Sequence, residues 1–351
     1  MEKENDIYYF KSKPNIALIT PYLDYFGGVE IVNHSLIKLL NEERFKVQVI
    51  SQELFKNNII FKYKKRFLGL NNLLSKYFNR YASEDTDLVI CNGEFSLGID
   101  HPLAINIFHG CYYGYAQALK SFISERAFVG LMKLANEQKE GANGKYIIAV
   151  SSNLKEILEL QGIKVDRVIP NAIDTELFRP IEGIKRNNKC LFVGSSDYYG
   201  KGIDILEELA DRNIKIDCIT TFPPKNKRLK WLGNIPSREL PRYYSSYKFF
   251  IFPSRFEGCG LVSLEAMACG TPIVMTSVGV GPEIAKEIPD FVVDNKSDKI
   301  SLDIIKKIKK IERNYNYFSI QARNYILKHH DLEKWKKSWL NTIDLVINRK
   351  E

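Results

Sequence analysis

The sequence predicts an α/β protein of two domains, each built on a parallel sheet. Three observations carry that expectation. Short apolar runs recur between helical stretches: Ile16-Ala17-Leu18-Ile19, Leu88-Val89-Ile90-Cys91, Ile147-Ile148-Ala149-Val150, Leu191-Phe192-Val193 and Phe249-Phe250-Ile251-Phe252. Runs of this length and branching read as strands buried on both faces. Glycine-bearing loops follow several of them and open helices, the strand–loop–helix pattern at which open α/β sheets bind ligands. At 351 residues the chain is long for one core and natural for two.

Composition narrows the class. Hydrophobic residues make up 45% of the chain and charged residues 26%, as in ordinary globular proteins. The charged opening Met1-Glu2-Lys3-Glu4-Asn5-Asp6 does not read as a secretory signal. No apolar run reaches the roughly 18 residues of a membrane-spanning helix. A cytoplasmic chain is therefore expected, with association at the inner face of the cell membrane left open. The six cysteines are scattered without a C-x-x-C pair and read as reduced thiols packed as small apolar residues. Lys and Arg outnumber Asp and Glu by 51 to 42, a net charge of +9. That balance suits phosphorylated substrates or anionic surfaces. No nucleic-acid-binding motif is present, so nucleic acid is not an expected partner.

The most informative stretch is Tyr247 to Pro282. An apolar strand ends at Pro253, and the loop Ser254-Arg255-Phe256-Glu257-Gly258-Cys259-Gly260 follows. A helix then runs from about Leu261 to Gly270, and Thr271-Pro272-Ile273-Val274-Met275 is the next strand. The helix start presents unpaired N–H groups and a partial positive charge, which suits a phosphate. Glu257 in the loop and Glu265, roughly 7 Å further along the helix axis, form a Glu-x7-Glu pair. Two carboxylates flanking a helix start can accept hydrogen bonds from the paired hydroxyls of sugars. Singly, each Glu reads as a solvated residue or a favourable charge near a helix start; together, in this frame, they read as a site.

The segment PSRFEGCGLVSLEAMACGTPIV resembles the donor-site signature of glycosyltransferase family 4, the retaining enzymes of the GT-B fold. The resemblance is sharp from about Phe192 to Glu283 and looser from Asn15 to Phe178. It implies two Rossmann-like domains facing a central cleft, with the last helix crossing back onto the N-terminal domain. The implied division is an acceptor-binding domain over 1–180, a nucleotide-sugar-binding domain over 181–330, and a C-terminal helix over 331–351. It also implies site roles. Glu265 would bind the ribose hydroxyls of the donor. Glu257 and the N–H groups from Gly258 through Cys259, Gly260 and Leu261 to Val262 would hold the sugar.

The N-terminal half offers further candidates. A strand over Asn15–Thr20 runs through Gly27-Gly28 into a helix from about Val29 to Leu40. Adjacent glycines let a backbone approach a phosphate closely, and the resembled family places such a loop across the cleft from the donor diphosphate; alone, a Gly-Gly turn is more often only a turn. His109, after the strand Ile105–Phe108, matches the family's histidine near the donor sugar. Over residues 62–81, Phe67, Leu70, Leu74, Tyr77 and Tyr81 share one helical face beside Lys62, Lys64, Lys65, Arg66, Lys76 and Arg80. Such a segment either packs on its own domain with a solvated basic edge or lies on an anionic bilayer. Ser152 or Asn153 is read as the cap of a helix over Leu154–Leu160.

In the second half, Val168 to Pro180 resembles the family's inter-domain segment, and Cys190–Gly194 opens the second domain as a buried strand. Lys201, at a helix start where the dipole disfavours a cation, sits where the family holds the donor diphosphate. Departure of a diphosphate builds negative charge that a fixed ammonium stabilises. The family usually carries Arg directly after the glycine equivalent to Gly194. This chain has Ser195, and Arg255 is the candidate to supply the missing cation. The expected function is transfer of a sugar from a nucleotide-sugar to a hydroxyl of a glycan or lipid-linked acceptor, with no cofactor and no required metal. The alternative is a non-catalytic GT-B protein that binds nucleotide or glycan as a partner subunit.

Overall fold

A computed structural model describes residues 13–23, 27–55, 65 and 69–348. In chain order its strands are β1 (Asn15–Ile19), β2 (Lys46–Ile50), β3 (Leu88–Asn92), β4 (Ala104–Phe108), β5 (Tyr146–Ala149) and β6 (Arg167–Val168), then β7 (Asn187–Gly194), β8 (Ile216–Thr220), β9 (Lys230–Trp231), β10 (Tyr247–Phe252), β11 (Ile273–Thr276) and β12 (Val292–Val293). They form two six-stranded sheets, ordered β2-β1-β3-β4-β5-β6 and β12-β11-β10-β7-β8-β9. The pairings are parallel. Parallel neighbours need a crossover, and helices supply it. Both halves are Rossmann-like, as the alternation of apolar runs and helices predicts.

By contacts the chain divides into two compact units. The first takes the described chain up to Ile107, with Glu140–Tyr146 and the residues from Thr342 onward; the second takes Phe108–Lys139 and Ile147–Asn341.

The first unit packs Ala17, Ile19, Ile50, Val89 and Cys91 from the sheet against Leu74, Phe78 and Ala82. The helix Leu70–Tyr81 supplies Leu74 and Phe78, and Ala82 is its C-cap. Its apolar face is the one the spacing predicts, with Phe78 added at its centre, and Leu74 and Phe78 are completely buried. Tyr81 stands 62% exposed at the end of the face, and Lys76 and Arg80 lie on the exposed side. This helix thus packs on its own domain with a solvated basic edge. Lys62, Lys64, Arg66 and Phe67 lie outside the described residues. The Gly27-Gly28 pair opens the helix Gly28–Glu42, with Gly27 at the N-cap. Buried Asn33, one turn further on, donates to the Thr20 hydroxyl at 2.9 Å, fastening that helix to the end of β1.

In the second unit the sheet order places a reversal of direction between β7 and β10. From β7 the chain moves outward through β8 to β9, then returns to the other side with β10. Two loops therefore diverge at the carboxyl ends of adjacent strands, the switch point of an open α/β sheet. Register pairs Cys190 with Phe249 and Leu191 with Phe250. Leu191, Phe192, Phe250, Ile251, Ile273, Val274 and Met275 are all fully buried, which is why these strands read as unbroken apolar runs.

Two details differ from the sequence reading. The helix after β5 spans Ser152–Leu160, and its cap is Ser151, whose hydroxyl accepts from the Leu154 N–H. The reason is geometric: Ser151 alone keeps extended backbone (φ −158°, ψ 158°), while Ser152 is already helical. Helices also form over Tyr112–Leu119 and Glu125–Ala142, stretches to which the sequence reading assigned no element.

Candidate functional site

The two switch-point loops of the second unit bring together residues far apart in sequence. After β7 the chain runs through Ser195 to Gly202 and enters the helix Ile203–Asp211. After β10 it runs from Pro253 to Gly260 and enters the helix Leu261–Ala268. The loops are zipped by backbone: the Arg255 N–H donates to the Gly200 carbonyl at 2.9 Å. Gly202 sits at φ +68°, and a Cβ there would strike the carbonyl of Pro253. Only glycine serves such a turn under such an approach. The result is that Lys201 Nζ lies 2.6 Å from Glu257 Oε1. The ammonium also stands 5.6 Å from the centre of the Phe252 ring. The dipole disfavours a cation at this helix start; a carboxylate from the neighbouring loop offsets it. Both side chains are partly sheltered, at 24% and 11% exposure.

Glu265 is not a solvated helix residue. It is 4% exposed, and the phenol of fully buried Tyr244 donates to its Oε2 at 2.9 Å. Burial, only partly offset by that hydrogen bond, pushes its carboxyl from 4.5 up to about 7. The folded state therefore holds this proton over a pH interval in which the unfolded chain has released it. Glu265 favours folding fully below pH 4.5, and the contribution is lost as pH rises through about 7. His109 and His330 work the other way. Burial pushes both imidazoles from 6.5 down to about 4, so their contribution is present above 6.5 and lost as pH falls towards 4. The comparison that isolates Glu265 is wild type against Glu265→Gln, which mimics the protonated acid. At about 1.4 kcal/mol per pH unit, the stability difference between the two should change by roughly 3 kcal/mol between pH 4.5 and pH 7, in favour of Gln as pH rises. Denaturant midpoints across that range measure it, and a constant difference would contradict the burial argument.

Arg255 is held in place. Its guanidinium makes two hydrogen bonds to Asp204, at 2.7 and 2.6 Å, and one to the Tyr199 carbonyl at 2.8 Å. It also lies 4.1 Å from the centre of the Phe122 ring. This cation, offered by the sequence for the arginine missing beside Gly194, is already paired. Gly194 ends β7 and Ser195 is exposed at its carboxyl edge.

Gly258 carries the closest approach. A Cβ on it would collide with the carbonyl oxygen of His109, and the Ser151 hydroxyl donates to the Gly258 carbonyl at 2.6 Å. His109, half-buried and held neutral by its surroundings, thereby meets the loop that carries Glu257. Cys259 is 5% exposed, its thiol pushed up to about 12 by burial; its carbonyl accepts from the Val280 N–H at 3.0 Å. Gly260 caps the helix at φ +92°, and Leu261 and Val262 form its first turn. The second unit thus unites His109, Lys201, Arg255, Glu257 and Glu265. Gly27 and Gly28 belong to the first unit, where Glu30, 6% exposed, occupies the first turn of their helix.

Sequence reasoning missed Tyr244, Asp204, Phe122 and Ser151. Asp204 was open to discovery, being in the first turn of the helix that Lys201 precedes. Tyr244 lies 21 positions before its partner, and no local pattern announces it. Among the described residues no helix is long and apolar enough to cross a membrane.

Residues 186–325 match the family model "Glycosyl transferases group 1", and residues 26–177 match "Glycosyltransferase Family 4". An uncharacterised glycosyltransferase of Methanocaldococcus jannaschii is 29% identical over 74% of this chain and 77% of its own length. The O-antigen chain mannosyltransferase B of Escherichia coli is 33% identical, over 32% of this chain and 27% of the relative. Among solved structures, sucrose-phosphate synthase from Thermosynechococcus elongatus superposes with a TM-score of 0.76 at 17% identity, over 96% of this chain and all of that one. Anabaena HepE, solved with UDP and glucose, gives 0.68 at 16% identity, over 94% and 99%. At such identities these two establish the fold, GT-B, and only the fold.

Proposed function

We propose that this chain, a glycosyltransferase by both of its matched regions, moves a hexose from a nucleotide-sugar to an acceptor hydroxyl with retention of the anomeric configuration. The observation that carries the reading is the Lys201–Glu257 pair at the switch point of the second sheet. A sheltered ammonium there is placed to meet a diphosphate, because charge develops on the leaving phosphate as the glycosidic bond breaks. The N–H groups from Gly258 to Val262, at the start of the Leu261–Ala268 helix, add partial positive charge on the same side.

Each residue then has a task. Lys201 donates to the departing diphosphate, and Glu257 moves its acceptor capacity from the ammonium to sugar hydroxyls. Glu265, oriented by Tyr244, accepts from the ribose hydroxyls. His109, neutral at pH 7, lines the sugar beside Gly258. The bond from the anomeric carbon to the phosphate oxygen breaks, and the bond to the acceptor oxygen forms on the same face. The acceptor's proton passes to the phosphate oxygen that leaves. No step is assigned to a metal. The O-antigen enzyme of Escherichia coli is named a mannosyltransferase, and another fold neighbour, WaaG, is described as acting in lipopolysaccharide biosynthesis. Both support a glycan or lipid-linked acceptor. The exposed Lys76 and Arg80 would serve contact with an anionic membrane.

The test is a thermal-shift panel of UDP, GDP, ADP and their sugars. Ligand at about 100 times its dissociation constant stabilises by roughly 2.7 kcal/mol, so one nucleotide should raise the melting temperature of the wild type and leave Glu265→Ala unmoved. No shift with any nucleotide would overturn the reading. With the donor identified, the anomeric proton coupling of the first product reports retention or inversion.

A further inference from the structure

The helix Tyr112–Leu119 begins shortly after His109, and it grips both of the loops that carry the Lys201–Glu257 pair. All of these residues belong to the second unit. On one side, the Tyr115 hydroxyl donates to Asp197 Oδ2 at 2.8 Å. Asp197 in turn shapes the turn that ends at Lys201. Its Oδ1 accepts from the Gly200 N–H at 3.1 Å, and its backbone carbonyl accepts from the Lys201 N–H at 3.1 Å. Gly200 is buried, and a Cβ on it would overlap the Asp197 carboxylate and lie 3.0 Å from the Tyr115 ring. On the other side, the ring of Phe256, the residue before Glu257, sits against the same helix. A Cβ on Gly114 would overlap that ring, and the Tyr115 ring meets it edge-on with centres 6.2 Å apart. Ile157, from the helix Ser152–Leu160, lines the same gap.

We propose that Tyr115 is a positioning residue for Lys201, acting through Asp197. This rests on the reading of Lys201 as the group that meets the leaving diphosphate. The lysine stem is long and flexible, so the place of its ammonium depends on how firmly its own backbone is anchored. Glu257 fixes the far end of the side chain at 2.6 Å, but that hold is released when the carboxylate turns to the sugar hydroxyls. The backbone turn then has to keep the ammonium in place, and the turn is fastened through Asp197 to Tyr115. Burial, and after it the Asp197 carboxylate, push the phenol above its ordinary range, so it stays protonated and remains a donor. The segment that presents His109 thus also sets the lysine, and contact with the sugar and contact with the phosphate are held by one piece of structure.

The experiment measures steady-state transfer by the full chain, with the nucleotide-sugar identified by thermal shift. Tyr115→Phe keeps the ring against Phe256 and removes only the bond to Asp197. Turnover should fall by about tenfold to a hundredfold, the scale of a small misplacement of a reacting group. The donor's KM should stay nearly constant, and the melting temperature should drop by a few degrees at most. In a Lys201→Ala background the same substitution should cost no further turnover, because its effect passes through the missing ammonium. Asp197→Ala should slow transfer at least as much, and adding Tyr115→Phe to it should change nothing. Full turnover in Tyr115→Phe, beside a Lys201→Ala chain that is slow, would overturn this inference alone. An equal loss with and without Lys201 would also overturn it, since the tyrosine would then be merely structural. Normal turnover in Lys201→Ala, or a wild type that transfers no sugar, would remove the underlying reading and this inference with it.

Discussion

Lys201→Ala is expected to lower the turnover of sugar transfer by about 10²–10³, the loss typical when one fixed donor to a developing oxyanion is removed. The donor's KM should change far less, because the charge it stabilises is greatest in the transition state. The variant has a second effect that must be separated from the first. Glu257 is only 11% exposed, and without its partner at 2.6 Å it becomes a sheltered carboxylate with its main counter-charge gone. Some stability is therefore lost as well. The double variant Lys201→Ala/Glu257→Gln removes the unpaired charge. Its melting temperature should recover towards the wild type while turnover stays low. Steady-state kinetics and thermal melting on the three chains decide the matter, and near-normal turnover in Lys201→Ala would remove the lysine from the chemistry.

Gly258→Ala should be the most disruptive single methyl group in the second unit. The added Cβ would overlap the His109 carbonyl, and the Gly258 carbonyl cannot withdraw without breaking its 2.6 Å bond from buried Ser151. Overpacking of this kind costs about 1–3 kcal/mol and sometimes more. At roughly 2–4 °C per kcal/mol, the melting temperature should fall by about 5 °C, and transfer activity should fall with it because Glu257 is the adjacent residue. Gly130 is the control. It lies inside the helix Glu125–Ala142, and a Cβ there meets nothing within 4 Å. Gly130→Ala should be neutral or stabilising by up to about 1 kcal/mol. The same chemical change at two glycines thus carries opposite predicted signs, which a differential melting experiment reads directly.

What the sequence disclosed follows a physical line. The parallel strands were legible because burial on both faces forces uninterrupted apolar runs such as Phe249–Phe252. The placement of Lys201, Glu257 and Glu265 was legible because glycine-bearing turns and helix starts leave local marks. Partners were not. Nothing near Glu265 names Tyr244, since the two meet only when the helix Leu240–Ser246, which carries the tyrosine, packs against the helix Leu261–Ala268. Arg255 shows the limit from the other side: its charge was visible, but its pairing with Asp204 and its seat on Phe122 depend on three separate segments. The Ser151 cap was missed by a single position, because a run of two serines and an asparagine offers three capping hydroxyls or amides and only backbone angle selects one.

One guanidinium reaches beyond its own neighbourhood. Arg323 donates to the carbonyls of Phe178 at 2.7 Å, Ala268 at 2.8 Å and Thr175 at 3.1 Å. It ties the C-terminal end of the Leu261–Ala268 helix to a segment that precedes β7. His330 adds a ring nitrogen 2.8 Å from the Asn171 carbonyl. For anyone building hybrid enzymes by exchanging the second matched region between relatives, this sets the junctions. A module cut at residues 186 and 325, where the family match begins and ends, would carry Arg323 away from two of its three acceptors and leave His330 with the host. Junctions placed before Asn171 and after His330 keep the whole bonded set in one inheritance, and hybrids made that way should melt higher than those cut at the limits of similarity.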